Sequence, residues 1–195
     1  MNQHSLIDIA NGIMAQMPPS TRFNEQDAQL LFSYRKPLLS LESKMVQGFY
    51  DTLFAHPPTR AIFSDHERSA REQTFRTWWR RTIGGPFDEK YWEWQALVGL
   101  LHIKRKVKNP MMISMWGWLL TMLERELEKE LSTSQIRQIM ESFKRLAATA
   151  QALTAESYLE NYLIALSEAT AFPPNLLQRF VDTQVDDLLK AAGHG

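Results

Sequence analysis

Cysteine is absent from the 195 residues, which at once excludes disulfides, thiolate metal sites and cysteine nucleophiles. Glycine is scarce, with eight residues, and no Gly-rich loop that could cradle a phosphate is present. No β-branched run alternates between turn residues, so strands are not expected and the chain reads as all-α. No window approaches the ~18 uncharged apolar residues that would span a membrane. The N-terminal MNQHSLIDIANGIMAQMPP lacks the cationic start and long apolar run of a secretory signal, so a cytoplasmic location is the expectation. Charge of one sign is also missing: 22 basic and 22 acidic residues cancel, and no global field would hold the chain on nucleic acid or an anionic membrane.

What remains is 44% apolar and 23% charged, ordinary for one soluble domain with a substantial core, and it includes six Trp and ten Phe. Helical periods succeed one another along the chain. Ser5 to Met17 carries Leu6, Ile9, Ile13 and Met17 on one face and closes at Pro18-Pro19. Asn24 is an N-cap, with Asp27 in the first turn, for a helix through Leu30, Leu31 and Tyr34. A long helix is expected from Pro37 to Ala55, ended by His56-Pro57-Pro58, and another from Asp65 to Ile83, stopped by Gly84-Gly85-Pro86. Pro110 to Leu131 and Ser134 to Ala169 read as two long amphipathic helices, and a last amphipathic segment follows Pro173-Pro174.

One stretch organises the rest: Tyr91 to Pro110, YWEWQALVGLLHIKRKVKNP, capped by Asp88. Tyr91, Trp94/Gln95, Val98 and Leu101/His102 share one helical face, and the cations Lys104, Arg105 and Lys106 come directly after it. A neutral imidazole projecting from an apolar helical face is either a hydrogen-bonded core residue or what an iron porphyrin needs as an axial ligand.

The order of these helices, together with Phe49-Tyr50 in GFYDTLFAHP, Phe87-Asp88-x-x-Tyr91, Val98-Gly99, His102 and Val107, resembles the globin-coupled sensor and protoglobin family from about Asn24 to Leu166. Its pattern Gly-x-x-His-x-x-x-x-Val is met by Gly99, His102 and Val107. The resemblance implies a globin fold with an extended N-terminal helix, long C-terminal G- and H-type helices and an extra C-terminal helix. It divides the chain into an N-terminal extension (1–23), a sensor globin domain (24–170) and a C-terminal helix and tail (171–195), the last being either a linker or a helix packed back.

By the same resemblance, haem b is the cofactor and His102 the proximal iron ligand. Tyr50 is the distal hydrogen-bond donor to a bound gas. Thr74 is either a second donor or a hydroxyl bonded to its own helix. Phe49, Phe75, Trp78, Val98, Val107 and Trp116 line the cofactor. The implied function is a gas sensor for O₂, with CO or NO also expected. It would be no enzyme and would signal as a homodimer paired through its last two long helices, with no nucleic-acid or membrane partner. Alternatives are a haem-less signalling module and a globin that uses O₂ against NO, although no reductase domain to feed it is recognisable here.

Two departures from the family weaken the case for a proximal switch through a tyrosine: Arg105-Lys106 stand where Ile-Gly is common, and Met112 stands where an aromatic is common. Lys104, Arg105 and Lys106 read as solvated or as partners for haem propionates. Met111, Met112 and Met115 read as core filler rather than iron ligands. Arg76, Arg80 and Arg81 read as a solvated helix face rather than a nucleic-acid patch, and His4, His56, His66 and His194 as surface residues.

Overall fold

The computed structural model describes residues 5–64 and 66–193. These form α1 (Leu6–Gln16), α2 (Glu25–Ser33), α3 (Arg35–Ser40), α4 (Glu42–Ala55), α5 (Pro57–Arg60), α6 (Arg68–Gly84), α7 (Glu89–Arg105), α8 (Asn109–Leu127), α9 (Thr133–Thr170) and α10 (Pro174–Ala191), with no strand among them. His4 and His194, expected at the surface, and Asp65, expected to start a helix, lie outside the described residues.

Capping boxes start α1, α2 and α9 through Ser5 with Asp8, Asn24 with Asp27, and Ser132 with Gln135. Each satisfies two main-chain donors that a helix start would otherwise orphan. Asp88 caps α7 through the Tyr91 N–H, as expected.

Boundaries differ where side chains compete for main-chain groups. The helix expected from Pro37 to Ala55 is two helices, α3 and α4, meeting at Leu41. Ser40 Oγ takes the Pro37 carbonyl at 2.6 Å, so the Leu41 N–H turns to Leu38 instead, only three residues back. Pro57-Pro58 ends α4 and also opens the short α5, because a proline is tolerated where the first helical N–H is orphaned anyway. The helix expected to reach Leu131 stops at Leu127, and in the turn that follows Lys129 reaches back to pair with the buried Glu126 at 2.7 Å.

The main core is built on Trp79 and Phe143, both fully buried, with Leu31, Leu38, Leu123 and Leu146 around them. Trp79 Nε1 donates to the Leu38 carbonyl at 3.1 Å, which ties α6 to α3. The buried carboxylate of Asp27 accepts from Ser142 at 2.8 Å and from Arg145, locking α2 to α9. Burial alone would raise its pKa, but these bonds hold it below the usual carboxylate value.

Arg76 and Arg80 are not merely solvated: both pair with the buried Glu42 of α4, Arg80 at 2.5 and 2.8 Å, and Arg81 pairs with Asp88 at 3.0 Å. The basic cluster is engaged in holding α6 against its neighbours. No helix among the described residues is long and apolar enough to cross a membrane.

The closest approach is between α7 and α9. A Cβ at Gly99 would fall 2.8 Å from both the Thr154 carbonyl oxygen and the Tyr158 nitrogen, and Ser157 Oγ donates to the Ala96 carbonyl at 2.8 Å. Only glycine lets the two backbones meet here. Gly99→Ala is therefore expected to cost about 1–3 kcal/mol of unfolding free energy, the range for overpacking a rigid contact. Urea unfolding checks it, and a loss below about 0.5 kcal/mol would show that the crossing can give way.

Candidate functional site

A cavity of about 290 Å³ opens between α4, α6, α7 and α8, with Thr154 of α9 in its wall. Phe49, Tyr50, Thr74, Phe75, Trp78, Val98, His102, Val107 and Trp116 all line it, although the sequence separates them by as much as the distance from Phe49 to Trp116. A larger hollow of about 670 Å³, lined by Phe23, Phe32, Phe87 and Trp92 among others, contains none of them.

One wall is a run of aromatic rings. Phe49 stacks on Phe75 at 4.7 Å, Phe75 on Trp78 at 5.3 Å, and Trp78 meets Trp116 edge-on at 5.6 Å. Met111, Met112 and Met115 continue the lining from α8. The opposite wall is the predicted face of α7: Trp94, Gln95, Val98, Leu101 and His102. Tyr91, expected on the same face, lies beyond the cavity, fully buried and sharing a 2.8 Å hydrogen bond with Thr82.

His102 sits at the end of that face, and the end is built around it. The Val107 N–H bonds to the His102 carbonyl at 2.9 Å and the Lys106 N–H bonds to that of Ile103 at 3.1 Å, while Lys106 takes the left-handed conformation at φ 58°. This pair is a Schellman cap, so His-x-x-x-x-Val is the spacing between the residues that cap joins. The cap fixes the main chain at His102. No described residue hydrogen-bonds its imidazole, and burial pushes its pKa down to about 4. The ring is neutral at pH 7, with a nitrogen lone pair available.

The other polar groups of the wall are mostly engaged. Tyr50 is 6% exposed, burial pushes its pKa up, and its hydroxyl donates to the Arg71 carbonyl at 2.8 Å. Thr74 is bonded to the Ala70 carbonyl of its own helix at 3.0 Å, the second of the two readings open for it. Of the cations after His102, Lys104 and Lys106 are exposed, whereas Arg105 lines the cavity and pairs with Glu67. Gln95 and Arg71 are the exceptions: Gln95 is 4% exposed, and neither its Nε2 nor the buried Arg71 Nε has a hydrogen-bond partner among the described residues. A buried amide without an acceptor is costly, and this one faces a space a ligand could fill.

Sequence reasoning missed Arg71, Gln95 as a polar group, and Thr154. Arg71 lies in the polar first turns of α6, and Thr154 reaches the wall only through the α7–α9 crossing.

These residues fit a flat, apolar cofactor that carries its own metal. Among the described residues no group of three or more His, Asp or Glu side chains is gathered to hold a bare ion, so a metal at His102 must bring its remaining ligands with it. The protoglobin family model matches residues 13–163. The chain belongs to the protoglobin family and its fold is the all-α globin fold. No curated protein matches the chain significantly.

The lowered pKa of His102 has a sign that can be measured. Its neutral form favours the folded state above the ordinary value of 6.5, and that contribution is lost as the pH falls toward about 4. The ligand-free protein should lose stability over this window, and His102→Leu should remove that part of the loss. Chemical unfolding at a series of pH values checks it: identical slopes for wild type and variant would place the imidazole in water.

Proposed function

We propose that this chain is a haem-binding gas sensor in which His102 is the protein's one ligand to the iron. The observation that carries the reading is the neutral imidazole of His102, without a hydrogen-bond partner among the described residues, in an aromatic-walled cavity that none of their acids lines. When bound, haem b supplies a ferrous iron with a position open to a diatomic gas, with O₂ foremost and CO or NO as further ligands.

The chain's own residues do the rest. His102 offers its lone pair from a main chain fixed by the Schellman cap. Phe49, Phe75, Trp78, Val98, Val107 and Trp116 exclude water from both sides of the cavity. Tyr50 is the buried hydroxyl donor for the gas, and it reaches it by giving up the Arg71 carbonyl, which a helical N–H can still satisfy. Thr74 keeps its bond to Ala70 and acts as wall. No residue is assigned a catalytic role.

A sensor must pass its state to a partner, and the surface that supports a homodimer lies at the C-terminal end. Leu159, Tyr162, Ile164 and Leu166 on α9 and Phe180, Val185 and Leu188 on α10 are all more than a third exposed. The outward face of α8 offers Ile113 amid Gly117, Thr121 and Glu124. The second long helix and α10 thus carry the pairing more than the first long helix does. Sedimentation should show a dimer that Leu159→Glu with Tyr162→Glu turns into a monomer; a wild-type monomer at every concentration would remove this part.

The haem reading is checked by the visible spectrum of protein expressed with haem supplied, wild type beside His102→Ala. A Soret band whose deoxy form depends on His102 is expected. A folded, colourless wild type that takes up no added haemin would overturn the reading in favour of a haem-less signalling module.

A further inference from the structure

The rim of the cavity, where α6 begins and α7 ends, holds two arginines that the aromatic walls do not explain. Arg71 and Arg105 both line the cavity, whereas Lys104 and Lys106, equally cationic in sequence, are exposed and take no part in it. Two guanidinium groups repel each other when brought together at a half-buried rim, and something must hold them there.

Glu67 does so from outside. One of its carboxylate oxygens, Oε1, takes a hydrogen bond from Arg105 Nη2, and Arg71 Nε lies 3.3 Å from the same oxygen. The Ser64 N–H anchors the other oxygen at 3.3 Å, and the bond from Arg105 holds the carboxyl pKa down to about 2. Glu67 itself does not line the cavity. Among the described residues, the two guanidinium groups share this one carboxylate, which stands outside the cavity that both arginines line.

The donors of these arginines are largely unused. Arg71 Nε is buried and makes no hydrogen bond, and its side chain donates to no described residue. Arg105 donates to Glu67 through Nη2 alone among the described residues. A guanidinium fork matches a carboxylate in geometry as well as charge. At the far end of the same α7 face the polar wall is Gln95, which is uncharged. The cavity therefore has one cationic edge and one neutral edge.

We propose that Arg71 and Arg105 form a seat for the carboxylate edge of the ligand, so that a flat tetrapyrrole diacid enters in one orientation with its acid groups at the α6–α7 rim. This rests on the porphyrin reading given above. The seat selects the free acid over a neutral analogue of the same shape. It also selects independently of iron, because the rim and His102 act on different parts of the ligand.

The test separates the two ideas. Ligand-free protein is titrated with haemin and with metal-free protoporphyrin IX, each as the diacid and as the dimethyl ester, and quenching of the fluorescence of Trp78, Trp94 and Trp116 in the cavity wall reports binding. The wild type should bind either diacid about tenfold more tightly than its ester, the size expected of charge-assisted hydrogen bonds at a partly exposed rim. Arg71→Met and Arg105→Met should each bring that ratio down to about twofold, and a wild-type helical circular-dichroism spectrum and unfolding midpoint show that both variants are folded. Equal affinity of diacid and ester in the wild type, or a preference that survives both substitutions, overturns the seat and leaves the porphyrin reading standing. Failure of every macrocycle to bind overturns the porphyrin reading and the seat with it.

Discussion

The close crossing of α7 on α9 at Gly99 is the constraint on which the site depends. With main-chain atoms of Thr154 and Tyr158 where a side chain would begin, the two helices are held at backbone distance, and α7 can neither rotate nor slide. His102 lies three residues further on the same helix, and its direction follows from that crossing rather than from any hydrogen bond of its own. The same approach carries Thr154 into the cavity wall. A glycine without catalytic chemistry thus sets where the His102 imidazole points.

Around that fixed helix the polar groups of the cavity fall into two classes. Three hydroxyls are satisfied within the protein: Tyr50 by Arg71, Thr74 by Ala70, Thr59 by Leu53. Nitrogen groups are left wanting: the imidazole of His102, the amide of Gln95 and the guanidinium of Arg71. A cavity that leaves an imidazole, an amide nitrogen and a guanidinium nitrogen without partners is suited to a ligand that brings a metal and acceptor oxygens. The three open groups stand on two helices, His102 about two turns from Gln95 on α7 and Arg71 on α6, so a ligand that meets them together must be extended.

Much of this was legible in the sequence, and the reasons differ from element to element. Caps at Asn24 and Asp88 are local chemistry, and local chemistry can be read from a single chain. The face of α7 from Trp94 to His102 followed from period alone. Tyr91 shares that face but lies past the end of the cavity, where Thr82 gives its hydroxyl a buried partner, a contact no periodicity reveals. The break at Leu41 turned on one serine hydroxyl competing for a carbonyl. Arg71 could not be recognised, since in a polar helical start, four residues after Glu67, it looks like any paired surface arginine until α7 brings Arg105 to the same carboxylate. The family pattern Gly-x-x-His-x-x-x-x-Val has a double explanation, with a helix crossing at one end and a Schellman cap at the other.

That cap also governs how movement can travel. The His102 carbonyl is bonded to the Val107 N–H, and α8 begins two residues later at Asn109. The connection between the imidazole and α8 is therefore a short stiff crank and not a slack tether. A tilt of the ring's helix cannot be absorbed in the corner, and it arrives at the first turn of α8, where Met111 and Met112 stand in the same cavity wall. Push the ring from within the pocket and the corner returns the motion to the pocket's opposite side, so the two halves of the wall respond as one mechanical piece.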